Sequence, residues 1–291
     1  MLSYINLLFL VFILLIQCSK QDIGFSEPTF IYDGYPLNVQ EEENPIYFTI
    51  VPYRNFIELS YNYKLLFEYL SEKTKKKIIY FPLDEYYKIY FMLETEKISL
   101  AIVDPYIFFK KNLDKKYKIF AKPKHKDAEF NSSVIVTRND KPINSIDKKV
   151  SKDLSISFDN LDSFFGYHIP LRYLENQNIS VKDFKKIYMS SNFENTVQGV
   201  LSGNFDLGCI DYLTFSKYKA KGIGLKLLYQ SESYEHFPII IHKNLDENLQ
   251  QIILKALLAI NIENNQNLLK SISENLIGFS YANTENYKNY K

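Results

Sequence analysis

The chain has 291 residues, of which 46% are hydrophobic and 16% aromatic, with 24 tyrosines. That is enough apolar surface for one large core or two smaller ones, which excludes disorder as the global state. With 35 basic against 34 acidic side chains the net charge is +1, which gives no sign of a nucleic-acid binder.

The first eighteen residues, "MLSYINLLFLVFILLIQC", form an apolar run ending in a cysteine. A secretory core has about this length, whereas a bilayer span takes about 20 apolar residues, so 1–18 is predicted to be an export signal. Its Leu-Ile-Gln-Cys ending resembles a bacterial lipobox, which would make Cys18 the lipidated first residue of the mature protein. Gln17 is larger than the small residue usual before such a cysteine, and no Lys or Arg precedes the run. An uncleaved signal anchor is the alternative, and both place the body outside the membrane on a tether. Residues 19–45, with Gly24, Pro28, Gly34, Pro36 and the triplet Glu41, Glu42 and Glu43, read as an acidic linker. The one other cysteine, Cys209, lies in the apolar run "FDLGCI" and reads as a core residue.

From Ile46 onward short β-rich runs alternate with amphipathic stretches. "IYFTIV" (46–51), a helical pattern over 55–72, "KIIYF" (77–81), a helix over 84–95 and "SLAIV" (99–103), closing at Asp104-Pro105, spell βαβαβ. After "SSVIVT" (132–137) the pattern repeats with "LSISF" (154–158), a helix opening at "DNLDSFFGYHIP" (159–170), "KIYM" (186–189), a helix over 194–202 and "DLGCI" (206–210). "FPIIIH" (237–242) adds a strand, and "LDENLQQIILKALLAI" is an amphipathic helix. The expected fold is α/β with two lobes, each a mostly parallel sheet flanked by helices, the second inserted between the first and a helical C-terminal tail. Residues 46–135 with 237–291 are expected to form lobe one and 136–236 lobe two, with hinges near 135 and 237.

Ligands of open α/β sheets collect beyond the carboxyl ends of the strands, where helix N-termini present free amides. Asp162 and Ser163 are N-cap residue types directly after strand 154–158, so this helix start is a candidate anion site. His125, His168, His236 and His242 show no metal-ligand spacing, and no nucleophile elbow, Walker loop, His-Glu-x-x-His or Cys-x-x-Cys occurs. No enzyme, cofactor or metal is predicted. Arg54 and Arg172 are able to pair with an anion, but alkyl packing or a surface salt bridge is the default reading of each.

The order of these motifs resembles the phosphate/phosphonate/phosphite-binding proteins of ABC importers, within the type 2 periplasmic binding proteins. "SFFGYHIPLRYL" keeps the Ser163, Gly166 and Pro170 of the family's helix start, and "DEYYKIYFMLETEKISLAIVDP" (84–105) resembles its Asp-Tyr helix and following strand, with Tyr86 at the tyrosine. "SSNFENTVQGVLSGNFDLGCID" (190–211) carries Glu194, Gly203, Asp206 and Asp211 at the family's spacing. There are departures: Phe164 and Phe165 replace hydroxyl residues, Phe193 stands where a histidine is frequent, and Asp104 where glycine is common. The resemblance implies a ligand-binding set of Tyr86, Asp104, Ser163, Phe164, Phe165, Gly166, Glu194 and Asp211. It also implies a monomeric, extracytoplasmic solute-binding lipoprotein that closes on a phosphonate-like oxyanion and presents it to an ABC permease. A sensory or surface receptor of the same fold with a changed ligand is the alternative.

Overall fold

The computed structural model describes residues 44–126 and 131–290. The expected export segment, Cys18 and the expected linker up to Glu43 lie outside them. Strand β1 (Ile46–Ile50) is flanked in parallel by strands β2 (Ile78–Tyr80) and β3 (Leu100–Ile102), with Phe48 in register with Tyr80 and Leu100. The sequences of β1 and β3, apolar apart from Thr49, follow from burial on both faces. Leu100 and Ile102 pack into one core with Phe48 and Ile50, while Ala101 and Val103 pack into another. Helix α1 (Phe56–Thr74) starts where the Asn55 side chain accepts the Ile57 N–H at 2.9 Å, and it buries Leu59, Tyr63, Leu66, Phe67 and Leu70 along one face. Helices α2 (Tyr86–Glu94) and α3 (Pro105–Lys110) follow β2 and β3.

Strand β4 (Tyr117–His125) leads to the second sheet. There β5 (Ser133–Arg138), the short helix α4 (Lys148–Ser151) and β6 (Ser155–Phe158) precede a π-helical turn, Phe164–His168, which continues as α5 (Ile169–Asn176). Strand β7 (Lys186–Met189), α6 (Phe193–Ser202), β8 (Leu207–Asp211), α7 (Tyr212–Ala220) and β9 (Leu225–Gln230) complete it. The chain then returns as β10 (Ile239–His242), α8 (Glu247–Ala259), α9 (Gln266–Ile272), β11 (Leu276–Tyr281) and 3-10 turns over Thr284–Tyr290.

The strand orders are β11-β4-β10-β3-β1-β2 and β7-β6-β8-β5-β9. Both sheets are mixed: the triplets β2-β1-β3 and β7-β6-β8 are parallel, and the other strands join antiparallel. In each triplet the first strand in sequence lies between the two that follow, so each lobe has a switch point where helices leave in opposite directions. The tail is not wholly helical, since β11 pairs with β4 as an edge strand. Strand β5 pairs over Ser133–Val136 with β8, so the first crossing lies before Ser133, a few residues ahead of the expected 135. Apart from the outer cores of the two lobes, a third core is continuous between them: Tyr86, Tyr90 and Phe108 of the first lobe pack in one cluster with Phe164, Phe165 and Phe193 of the second.

Candidate functional site between the lobes

The carboxyl ends of the switch-point strands carry the polar residues of the cleft. Arg54 follows β1 and Asp104 follows β3 in the first lobe. Asp159 and Ser163 follow β6, Asp211 ends β8, and Glu194 opens α6 in the second.

The helix start at Ser163 differs from the ordinary α-helical start that its sequence suggests. The Ser163 side chain accepts the Gly166 N–H at 3.0 Å, while its carbonyl accepts from Tyr167 and from His168, five residues on. Pro170 has no N–H to give to the carbonyl of Gly166, and widening the preceding turn to a π-turn accommodates that missing bond. A Cβ on Gly166 would lie 2.0 Å from Asp159 Oδ1 and 2.9 Å from the Phe193 ring, so this position accepts only glycine without movement. The Phe164 N–H donates to Asp104 Oδ2 at 2.7 Å, across the boundary between lobes, and Asp104 Oδ1 accepts the Tyr106 N–H at 2.9 Å as the N-cap of α3.

Around this point lie buried polar atoms with no hydrogen-bond partner: the hydroxyls of Tyr86 and Tyr90 and Oδ2 of Asp159. Asp159 Oδ1 accepts the Asn160 N–H at 2.6 Å. Burial pushes the Asp104 carboxyl up to about 7, against the pull of its backbone donors, and the Asp159 carboxyl up to about 8, against the pull of Ser163. Burial also raises the Tyr86 and Tyr90 phenols well above their ordinary range; the neighbouring charges of Asp159 and Asp104 add to it.

A second polar group lies beside the first. Arg54, only 7% exposed, points Nε toward Glu194 Oε1 at 3.9 Å and Nη1 toward Glu58 Oε1 at 3.7 Å. Both Glu194 oxygens lack hydrogen bonds, and burial lifts that carboxyl to about 7 although Arg54 opposes the rise. Asp211 caps α7 through the Thr214 N–H at 2.9 Å; burial raises its carboxyl, again against Arg54. Lys217 of α7 pairs with Glu58 of α1 at 2.9 Å, a further polar contact between lobes beside those of Asp104 with Phe164 and of Arg54 with Glu194.

The structure thus brings together Tyr86, Asp104, Ser163 and Gly166 in one cluster, and Glu194 and Asp211 in its neighbour. Phe164 and Phe165 are 2% and 4% exposed and belong to an aromatic core: Phe164 meets Tyr234 at 5.0 Å and Tyr290 at 4.6 Å, and Phe165 stacks on Phe237 at 5.6 Å. Asp206 stands at the other end of its strand, where it accepts the N–H and hydroxyl of Ser155. Sequence reasoning passes over Asp159 and leaves Arg54 by default a packing or surface-pairing residue, yet both follow strand ends at a switch point, and that placement is the available signal. A hollow of about 410 Å3 bordered by Ser190, Asn195, Gln198 and Ser202 includes none of the expected site residues. Among the described residues no helix is long and apolar enough to cross a membrane.

A family model described as "ABC transporter, phosphonate, periplasmic substrate-binding protein" matches residues 48–287. The chain belongs to this family. As a member of the phosphonate-binding family it is a substrate-binding component of an ABC transporter, not an enzyme, and works outside the cytoplasm. Solved structures share its fold. PhnD1 from Prochlorococcus marinus in complex with methylphosphonate aligns at a TM-score of 0.75 with 20% identity, covering 84% of this chain and 94% of that one. A binding-protein component of an ABC phosphonate transporter from Pseudomonas aeruginosa gives 0.74 with 18% identity, covering 84% of each. A Xanthomonas citri protein bound to ATP gives 0.68 with 11% identity, covering 85% of this chain and 96% of that one. No curated protein matches the chain.

Proposed function

We propose that the cleft takes a small oxyanion-bearing solute, a phosphonate or phosphate ester, seated at the helix start of Ser163 beside the hydroxyls of Tyr86 and Tyr90. The observation that carries this reading is the set of buried, unpartnered atoms at that helix start, Tyr86 OH, Tyr90 OH and Asp159 Oδ2. A buried polar atom without a partner costs about 1–3 kcal/mol, so three in one place favour a guest that satisfies them. Two phenol donors and the positive end of a helix suit an anionic guest, while Asp159, held neutral by its raised pKa, adds a third donor. Glu194 and Asp211, in the neighbouring polar group, would receive a polar or cationic group on the solute's organic part. Isothermal titration of the full chain with phosphate, phosphite, methylphosphonate and 2-aminoethylphosphonate tests the reading. At least one binds, and Tyr86→Phe weakens it by about tenfold, the worth of one hydrogen bond to a charged group. Binding to none of the four, or an unchanged affinity in Tyr86→Phe, would reject the seat.

The protein is further proposed to act as a monomer, tethered through a lipid on Cys18 and delivering its solute to an ABC permease. The cysteine closing an apolar export-like run supports the tether. Cys18→Ala is expected to leave the fold intact and move the protein out of the membrane fraction; retention of the variant there would favour the uncleaved anchor.

A further inference from the structure

We infer that Asp104 is a built-in occupant of the oxyanion seat: a carboxylate of the first lobe that competes with the solute for the helix start of the second and fastens the two lobes until displaced. This rests on the reading of that helix start as the seat. Three observations carry it. The amide at the head of the helix start, Phe164 N–H, already has a carboxylate acceptor, Asp104 Oδ2 at 2.7 Å. The other Asp104 oxygen caps α3. One carboxylate therefore joins α3 of the first lobe to the helix start of the second and holds the amide that a solute oxyanion at that helix start would otherwise receive. Finally, Asp104 is fully buried, and its neighbours Val103, Ile107 and Phe164 belong to the core that is continuous between the lobes.

The consequence is a competition decided by charge. The groups whose charges reach Asp104 include Asp159, Asp162, Tyr86, Tyr90 and Tyr290, all of them acids or hydroxyls. An entering oxyanion beside an ionised Asp104 would meet a like charge at hydrogen-bond range, which disfavours the pair. The solute binds when Asp104 swings away or takes up a proton. Aspartate here supplies an internal ligand and raises the concentration of solute needed for occupancy.

The test uses the full chain in detergent with Cys18→Ser, spin labels at Lys97→Cys in the first lobe and Lys182→Cys in the second, and pulsed electron paramagnetic resonance. Cys209 is buried and takes no label. Asp104→Ser keeps a side-chain oxygen suited to capping α3 but is too short to reach Phe164, and its melting curve verifies folding. Without added solute the parent is expected to show one short interlobe distance and Asp104→Ser a broad, longer distribution. Methylphosphonate should restore the short distance and bind the variant about tenfold or more tighter than the parent, the strength of a charge-assisted bond no longer opposed. Matching distances and equal affinities in parent and variant would overturn the inference, as would a parent already in the long distribution. A distance change without binding of any of the four oxyanions would leave the interlobe fastening standing and reject the oxyanion reading instead.

Discussion

Asp159 is the residue whose environment most sharply conflicts with its chemistry. One oxygen accepts a backbone N–H, the other makes no hydrogen bond although the Ser163 hydroxyl pulls on the carboxyl, and the group is fully buried beneath Gly166, so burial raises its pKa from 3.8 to about 8. Because the folded state holds the proton more tightly than the unfolded state, the penalty is absent below the unfolded value of 3.8 and grows as pH rises toward 8. Stability should therefore fall by roughly 2 kcal/mol between about pH 6 and pH 8 on account of Asp159 alone, with Asp104 acting in the same direction. For a chain of this size that is a melting temperature lower by about 4–8 °C at the upper end of that range, read by calorimetry. Asp159→Asn removes the ionisable group while keeping an acceptor for Asn160, so it should flatten most of the slope; an unchanged profile would show that Asp159 titrates normally. At this scale the sequence is legible where residue type alone speaks. Ser163 and Gly166 are what a helix start needs, whereas Asp159 looks like any turn residue because a carboxylate's role depends on burial and on neighbours from another lobe.

The π-turn is the element on which the proposed seat is built, and its glycine is set by close approach rather than by a left-handed backbone. Gly166→Ala would drive a methyl against the Asp159 carboxyl and the Phe193 ring, at a cost of roughly 1–3 kcal/mol as an overpacked site. It should also displace the helix start and weaken oxyanion binding. Gly199→Ala provides the comparison: its Cβ would meet the Phe205 ring at 2.0 Å on α6, away from the seat, so it should lower the melting temperature and leave affinity unchanged. Equal losses of affinity in both variants would mean that Gly166 serves stability alone. Most elements are readable because both-face burial writes itself as apolar runs and α1, α6 and α8 carry clear caps and apolar stripes. The strands that escape, β4, β9 and β11, carry interspersed lysines, a proline or a glycine. Gly278 shows why such a strand is hard to see. Its φ is 149°, and a Cβ there would lie 2.7 Å from the Ile260 carbonyl, so the need for glycine originates in another segment.

At the scale of the whole molecule, the two sheets are joined by the crossings before Ser133 and between Gln230 and Ile239, and the C-terminal turns brace the second of these. The Tyr287 hydroxyl donates to the His236 carbonyl at 2.6 Å and the Tyr290 hydroxyl to the Glu235 carbonyl at 2.7 Å. The Tyr290 ring also packs on Phe164, so these last turns touch both the crossing and the helix start at Ser163. His236 stacks on His125 at 4.0 Å between ring centres, which links this crossing to the end of β4. Nothing in the sequence of the last residues announces this role, since a tyrosine near a terminus is ordinary and its partners lie far back along the chain. Tyr290→Phe should remove one hydrogen bond, costing about 1 kcal/mol with little change in solute binding. Tyr290→Ala should cost roughly 3 kcal/mol by removing a buried aromatic ring, and should broaden the interlobe distance distribution as the crossing loses its support. Chemical denaturation measures the first effect and labels at Lys97 and Lys182 the second. A stable Tyr290→Ala variant with an unchanged distance distribution would show that the crossing is held by the β-ladders alone.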